Sequence, residues 1–280
     1  MAKSSSDSPV HYGDVVLSPD PLGMWATTPD EIKSGYEIYT PLAPEGKSGG
    51  ADPIGDIESY LKADKHQVWG WVIYRCTYNS DEEWARLMDI FYRSLRIELE
   101  KRDGIHLLDK CHLTVIEDKE TLDDASTAAV RDHFKEWCMT APQMEQGQAN
   151  QMRSQRYQFC IQVDDECINS ILHEAPPPEQ WDKDADGYVN LIWKYWHPFP
   201  SPLREVSERR EKLGGYKRNH LDDGCEEIEG CKLQDVGWVK AGYQIVFVTL
   251  YALLRERGDW DVYYRRPDEA VLGDGNLGGI

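Results

Sequence analysis

The alternation of apolar and polar positions divides the chain into short segments. His66 to Tyr78 (HQVWGWVIYRCTY) is dense in β-branched and aromatic residues and closes on Asn79-Ser80, which predicts a strand. Ser80 and Glu83 then form a capping box, and Trp84, Leu87, Met88, Phe91, Tyr92, Leu95 and Leu99 hold one apolar face. The spacing predicts a helix that stops near Asp103-Gly104. Cys111–Glu117, Tyr157–Val163 and Tyr188–Trp196 read as further strands. A helix starting at Thr121 with Asp124 follows the second strand, its face made by Leu122, Ala125, Ala129, Val130, Phe134 and Trp137. A short helix carrying Ile168, Ile171 and Leu172 follows the third, ended by Pro176-Pro177-Pro178. Gln143–Gln155 reads as a loop, Leu203–Leu213 as a charged surface helix, Asp235–Arg255 as a long apolar helix and Trp260–Arg265 as a last strand.

Strand and helix therefore alternate from residue 66 onward. A doubly wound parallel sheet (α/β) is one outcome of such an order. Polar residues recur inside the strands, however: Arg75 and Thr77, His112 and Thr114, Gln158 and Gln162, Asn190 and Lys194. Strands buried on both faces are more uniformly apolar. The preferred expectation is an α+β domain of ferredoxin-like type, an antiparallel or mixed sheet with helices on one face. The other face would be covered by the N-terminal arm, a partner or a ligand. Proline and Gly49-Gly50 punctuation makes residues 1–65 an extended, loop-rich arm, 66–267 the domain and 268–280 a tail.

Composition narrows the function. With 31 basic against 50 acidic residues the formal charge is −19, which argues against nucleic acid as a partner. Val236–Leu254 is apolar with a single charge, Lys240, but carries Gly237, Gly242 and Gln244, so it reads as a buried helix and not a membrane span. Seven cysteines at irregular spacing, three of them in strand-like runs, read as reduced thiols and a cytoplasmic location. The start, MAKSSSDSP, lacks the apolar region of a secretion signal.

Three string motifs stand out in the chain. Asp182, Asp184 and Asp186 followed by Gly187 match the first half of a calcium loop, but position 12 is Trp193, which brings no carboxylate. Calcium is the one weak cofactor candidate, and an acidic turn is the plainer account. Gly273, Gly275 and Gly278 match a dinucleotide fingerprint with no helix behind it. His220, Cys225 and Cys231 lack the tight pair and fourth ligand of a zinc site.

The candidate catalytic pair is His112, on a predicted strand, and Arg75, whose planar fork suits a carboxylate or phosphate. Tyr74, Asn190, Trp193 and Tyr263 are the candidate ligand-binding residues, part of an aromatic strand set that lines a pocket for a flat organic molecule or else fills the core. The segments Trp69–Tyr78, Asp81–Trp84, Tyr157–Asp165, Tyr188–Trp193, Asp235–Trp238 and Tyr263–Pro267 resemble a family of uncharacterised proteins from filamentous fungi, across roughly residues 66–267. The resemblance implies a fungal source and carries over no activity and no catalytic residue. Two functions stay open: a binder of a small organic ligand, including an enzyme of specialised metabolism, and an acidic module that holds a protein partner. Neither needs a membrane, and a homodimer is compatible with both.

Overall fold

In the computed structural model the described residues are 52–147, 154–180, 187–197, 223–255, 257–267 and 271–273, and Gly49–Ile280 forms one unit. Five strands build its sheet: β1 (Val72–Arg75), β2 (Thr114–Ile116), β3 (Phe159–Val163), β4 (Tyr188–Trp193) and β5 (Trp238–Gly242). Their order across the sheet is β2-β1-β3-β4-β5. β1 runs parallel to β2 and to β3, whereas β3–β4 and β4–β5 are antiparallel. Both halves of the sequence reading are thus present in one mixed α+β sheet. Beyond β5, Leu272 donates to Lys240 O at 2.7 Å and accepts from Gly242 N at 2.9 Å, covering that edge.

The helices are α1 (Pro53–Asp64), α2 (Asp81–Lys101), α3 (Lys119–Leu122), α4 (Thr127–Trp137), α5 (Ala141–Gln146), α6 (Asp165–Asn169, running on as a π-helical turn to Glu174), α7 (Thr249–Leu253) and α8 (Arg257–Tyr263). α2 has the expected cap, with Ser80 Oγ accepting from Glu83 N at 3.1 Å. Leu87, Phe91, Leu95 and Leu99 sit on the face of the sheet that carries Ile73, Ile161, Leu191 and Val239, along with Trp71, Tyr251 and Trp260. On the opposite face, Val130 and Phe134 of α4 pack against Val72, Tyr74, Cys160 and Ile192. The sheet is therefore covered by helices on both faces, which corrects the expectation of helices on one face only.

Four local expectations change as well. Asp235–Arg255 is not one helix: Trp238–Gly242 is a strand, and only Thr249–Leu253 is helical. The run alternates Val239 and Ala241 onto the α2 face with Trp238 and Lys240 on the other, a period of two hidden by its uniform apolarity. Trp260–Arg265 is not a strand; Trp260 to Tyr263 close α8. The helix expected from Thr121 is two, α3 capped by Asp118 and α4 capped by Ser126, and α5 stands where residues 143–146 were read as loop. Within the predicted loop-rich arm, residues 53–64 form α1, its N-terminus capped by Asp52 with Pro53 in the first turn, where a missing N–H is no loss.

Candidate functional site

The connection leaving β1 leads through α2 to β2 on one side, and the one leaving β3 leads through α6 to β4 on the other. Adjacent parallel strands whose chains depart in opposite directions mark the end of an open sheet at which ligands commonly bind, although here α2 and α6 both pack on the Ile73 face of the sheet. The loop after β1 supplies Arg75, Thr77, Tyr78 and Asn79; the loop after β3 supplies Asp164 and Asp165. Thr77 Oγ1 donates to Asp165 Oδ1, and Asn79 Nδ2 donates to Asp165 Oδ2 at 2.6 Å, so one carboxylate ties the two loops together. Asp164 caps α6 by accepting from Cys167 N at 2.9 Å and also accepts from Asn190 Nδ2 at 2.7 Å.

Arg75 is 6 % exposed. Its Nη2 reaches Asp81 Oδ1 at 2.5 Å, its Nη1 reaches Glu117 Oε1 at 3.4 Å, and its Nε donates to Thr77 O at 2.9 Å. The guanidinium carbon also lies 4.5 Å from the Tyr78 ring centre and 5.1 Å from that of Trp84. Every side of the fork is engaged by the fold. Tyr78 bridges the loops after β1 and β2, its hydroxyl accepting from Asp118 N at 2.8 Å. The Asp118 carboxyl lies below its ordinary range, mainly through the bond from Thr121 Oγ1.

Of the other expected residues, Tyr74 and Asn190 share one row across the sheet. The register pairs Tyr74 with Gln162, Gln162 with Asn190, and Asn190 with Lys240. Tyr74 is fully buried and bonds through its hydroxyl to His133 Nδ1 at 3.0 Å, and burial pushes its phenol well up. The same burial raises the Cys76 thiol to about 12. His112 is not part of this edge. It is exposed, precedes β2, and is level with Gly70 by the parallel register, about 16 Å from Arg75 at ~3.3 Å per residue. The structure does not bring the two candidate catalytic residues together. Trp193 and Tyr263 lie apart from the row too: Trp193 tilts against Trp260 at 5.5 Å between ring centres, and Tyr263 sits in the α2-side core.

The aromatic strand residues pack on one another. Trp69 and Trp71 are fully buried, both edge-on to Tyr251 at 5.2 and 4.8 Å, and Phe159 stacks on Trp260 at 5.7 Å. A recess of about 180 Å³, open space included, lies between Ile57, Tyr60, His66, Trp69, Tyr251 and Arg255. That is below the range of about 300–1,000 Å³ usual for organic ligands.

Sequence reasoning missed another buried cation, Arg156, at the amino ends of β1 and β2. It is fully buried, binds both oxygens of Glu145 at 2.7 and 2.8 Å, and donates to His112 O, Gly70 O and Thr114 Oγ1. Although burial works against ionisation, the Arg156 guanidinium holds the Glu145 carboxyl below its ordinary range. Nothing in the spacing of Glu145 and Arg156 signals the pair. Gln162 was read only as a polar interruption, yet its Nε2 donates to Ala125 O at 2.6 Å while its Oε1, like Asn190 Oδ1, accepts no hydrogen bond among the described residues.

Asp182, Asp184, Asp186, His220, Gly275, Gly278 and residues 203–213 lie outside the described residues. Among the described residues no cluster of three or more His, Cys, Asp or Glu is arranged to hold a metal, and no helix is long and apolar enough to cross a membrane. Comparison with protein-family models, with curated proteins and with solved structures yields no match.

Proposed function

We propose that this protein binds a small organic molecule at the carboxyl ends of β1 and β3. The observation that carries the reading is the meeting of polar side chains at those strand ends: Thr77 and Asn79 both bond Asp165, beside Asp164, and Asp164 in turn accepts from Asn190, which pairs with Gln162 on the α4 face of the sheet. The ligand-binding role thus moves from the aromatic residues, which the two cores absorb, to polar groups at the strand ends, and of the four residues expected to bind ligand it retains Asn190. Seven unpaired thiols support a cytoplasmic setting, and a compound of specialised metabolism is the ligand class proposed.

The second reading, an acidic module for a protein partner, needs a contiguous apolar patch. Of the five large apolar side chains exposed among the described residues, Met139 and Met144 share the turn and helix at α5, while Tyr92, Ile105 and Val262 lie on three other segments. Ligand binding is the better supported of the two.

Native mass spectrometry of the full chain, purified without denaturant, tests it. The expected result is an added small-molecule mass on the wild type that is lost in Thr77→Val/Asn79→Leu while that variant still melts cooperatively. No added mass on the wild type, or one retained by the variant, overturns the reading.

A further inference from the structure

Resting on that reading of the strand ends, we propose that the group they take is a primary ammonium, accepted by Gln162 Oε1, Asn190 Oδ1 and the Asp164 carboxylate. Gln162 and Asn190 face each other across the β3–β4 pairing, 2 % and 3 % exposed. Side chains paired in this way have Cβ atoms about 4.5–5.5 Å apart. The orientation of each amide is fixed by its own donor: Gln162 Nε2 is spent on Ala125 O at 2.6 Å and Asn190 Nδ2 on Asp164 Oδ2 at 2.7 Å. Flipping either amide would set oxygen against oxygen. What remains is two neighbouring buried acceptors to which no N–H or O–H group donates among the described residues, with the Cys76 thiol beside Gln162.

A buried acceptor left unpaired is costly, so the pair calls for a group with several donors and no lone pairs of its own. An ammonium has three donors, and Asp164 supplies the opposite charge. A neutral hydroxyl brings one donor and satisfies one oxygen of the two. A carboxylate or phosphate brings only acceptors, and the nearest guanidinium, Arg75, is committed to Asp81 and Glu117. The row does contain an ammonium, that of Lys240, but it points along β4, 4.4 Å from the Tyr188 ring centre and 3.9 Å from Glu166 Oε2. The neighbouring turn Asp123-Asp124 is exposed, Asp124 takes a left-handed φ of 55°, and the following Ala125 holds Gln162.

The test uses the full chain with n-butylammonium chloride, sodium butyrate and 1-butanol as charge-varied probes of one shape, at equal ionic strength. A saturable rise in melting temperature is expected with butylammonium alone, weakened at least tenfold in apparent affinity in Gln162→Met and in Asn190→Leu. Should either variant fail to fold, the wild-type side-chain amide resonances of Gln162 and Asn190 serve instead, and they are expected to shift with butylammonium and not with the other two. An equal response to butyrate or butanol, no response to butylammonium, or unchanged affinity in both variants overturns the assignment. A co-purified anionic or neutral compound lost in Thr77→Val/Asn79→Leu overturns the ammonium alone and leaves the strand-end site standing.

Discussion

Replacing Arg75 and Arg255 by methionine, one at a time, separates two ion pairs that look alike in a list of contacts. Arg255 binds both oxygens of Asp64 at 2.5 and 2.7 Å, and the two side chains are 7 % and 5 % exposed. Arg255→Met strands a carboxylate inside the protein, which costs about 3–5 kcal/mol. Arg75 is equally buried, but its closer partner Asp81 is 91 % exposed and Glu117 is 49 % exposed. In Arg75→Met both acids return to water, so no buried charge is left. The remaining loss is the donor to Thr77 O, about 1–1.5 kcal/mol, and the two ring contacts, about 0.5 kcal/mol each. The expected total is about 2 kcal/mol, roughly half the Arg255 value. Urea unfolding followed by tryptophan fluorescence, with the slopes required to agree between variants, measures the difference. Equal losses in the two variants would refute the argument that the exposure of the partner decides the cost.

Two further expectations concern titrating groups. Glu98 lies buried on α2 and accepts from Val248 N at 3.1 Å, Thr249 N at 2.8 Å and Thr249 Oγ1 at 2.5 Å, and burial raises its carboxyl from 4.5 to about 7. Because the folded value is the higher one, its stabilising share is complete below pH 4.5 and is lost as pH rises through 7. The loss is about 3 kcal/mol at 1.36 kcal/mol per unit, and a pH series of urea midpoints is expected to lose that slope in Glu98→Gln. Among the thiols, burial raises Cys76 and Cys111 to about 12 and Cys138 to about 11, and lifts Cys160 and Cys167 well above the ordinary value. Cys111, Cys225 and Cys231 belong to part-exposed residues, the Cys111 thiol being one of those that burial raises. An aromatic disulfide reagent is expected to titrate two thiols in the native protein and seven after denaturation; a count of five or fewer in denaturant would contradict the reduced state.

How much of this could be read from the chain depended on whether a signal was local. The Ser80–Glu83 cap and the apolar face of α2 are neighbours in sequence, and both stand in the structure. The strand cores at Val72–Arg75, Phe159–Val163 and Tyr188–Trp193 announced themselves by β-branched and aromatic density. The long run from Asp235 failed because a stretch apolar but for Lys240 and Gln244 shows neither period clearly, and its split into β5 and α7 is decided by pairing with β4. Polar residues in the strands were read as a face covered by the N-terminal arm, a partner or a ligand. Gln162 and Asn190 instead share one row with Tyr74, beside apolar residues that α4 covers, while His112 lies at the other end of β2. Arg75 was expected to find an anion and did, although the anion was an acid six residues on. The unpaired oxygens of Gln162 and Asn190 depend on contacts with Ala125 and Asp164, which spacing along the chain does not reveal.

The strand that Leu272 lays along β5 bears on how copies of this chain can meet. A sheet offers its unpaired backbone groups at two borders, and here one border is occupied by the chain itself. The other is β2, three residues long and followed by Glu117 and Asp118. A chain adding edge to edge at β5 would first have to displace Leu272 from Lys240 and Gly242, and at β2 it would find only three residues of strand to pair with.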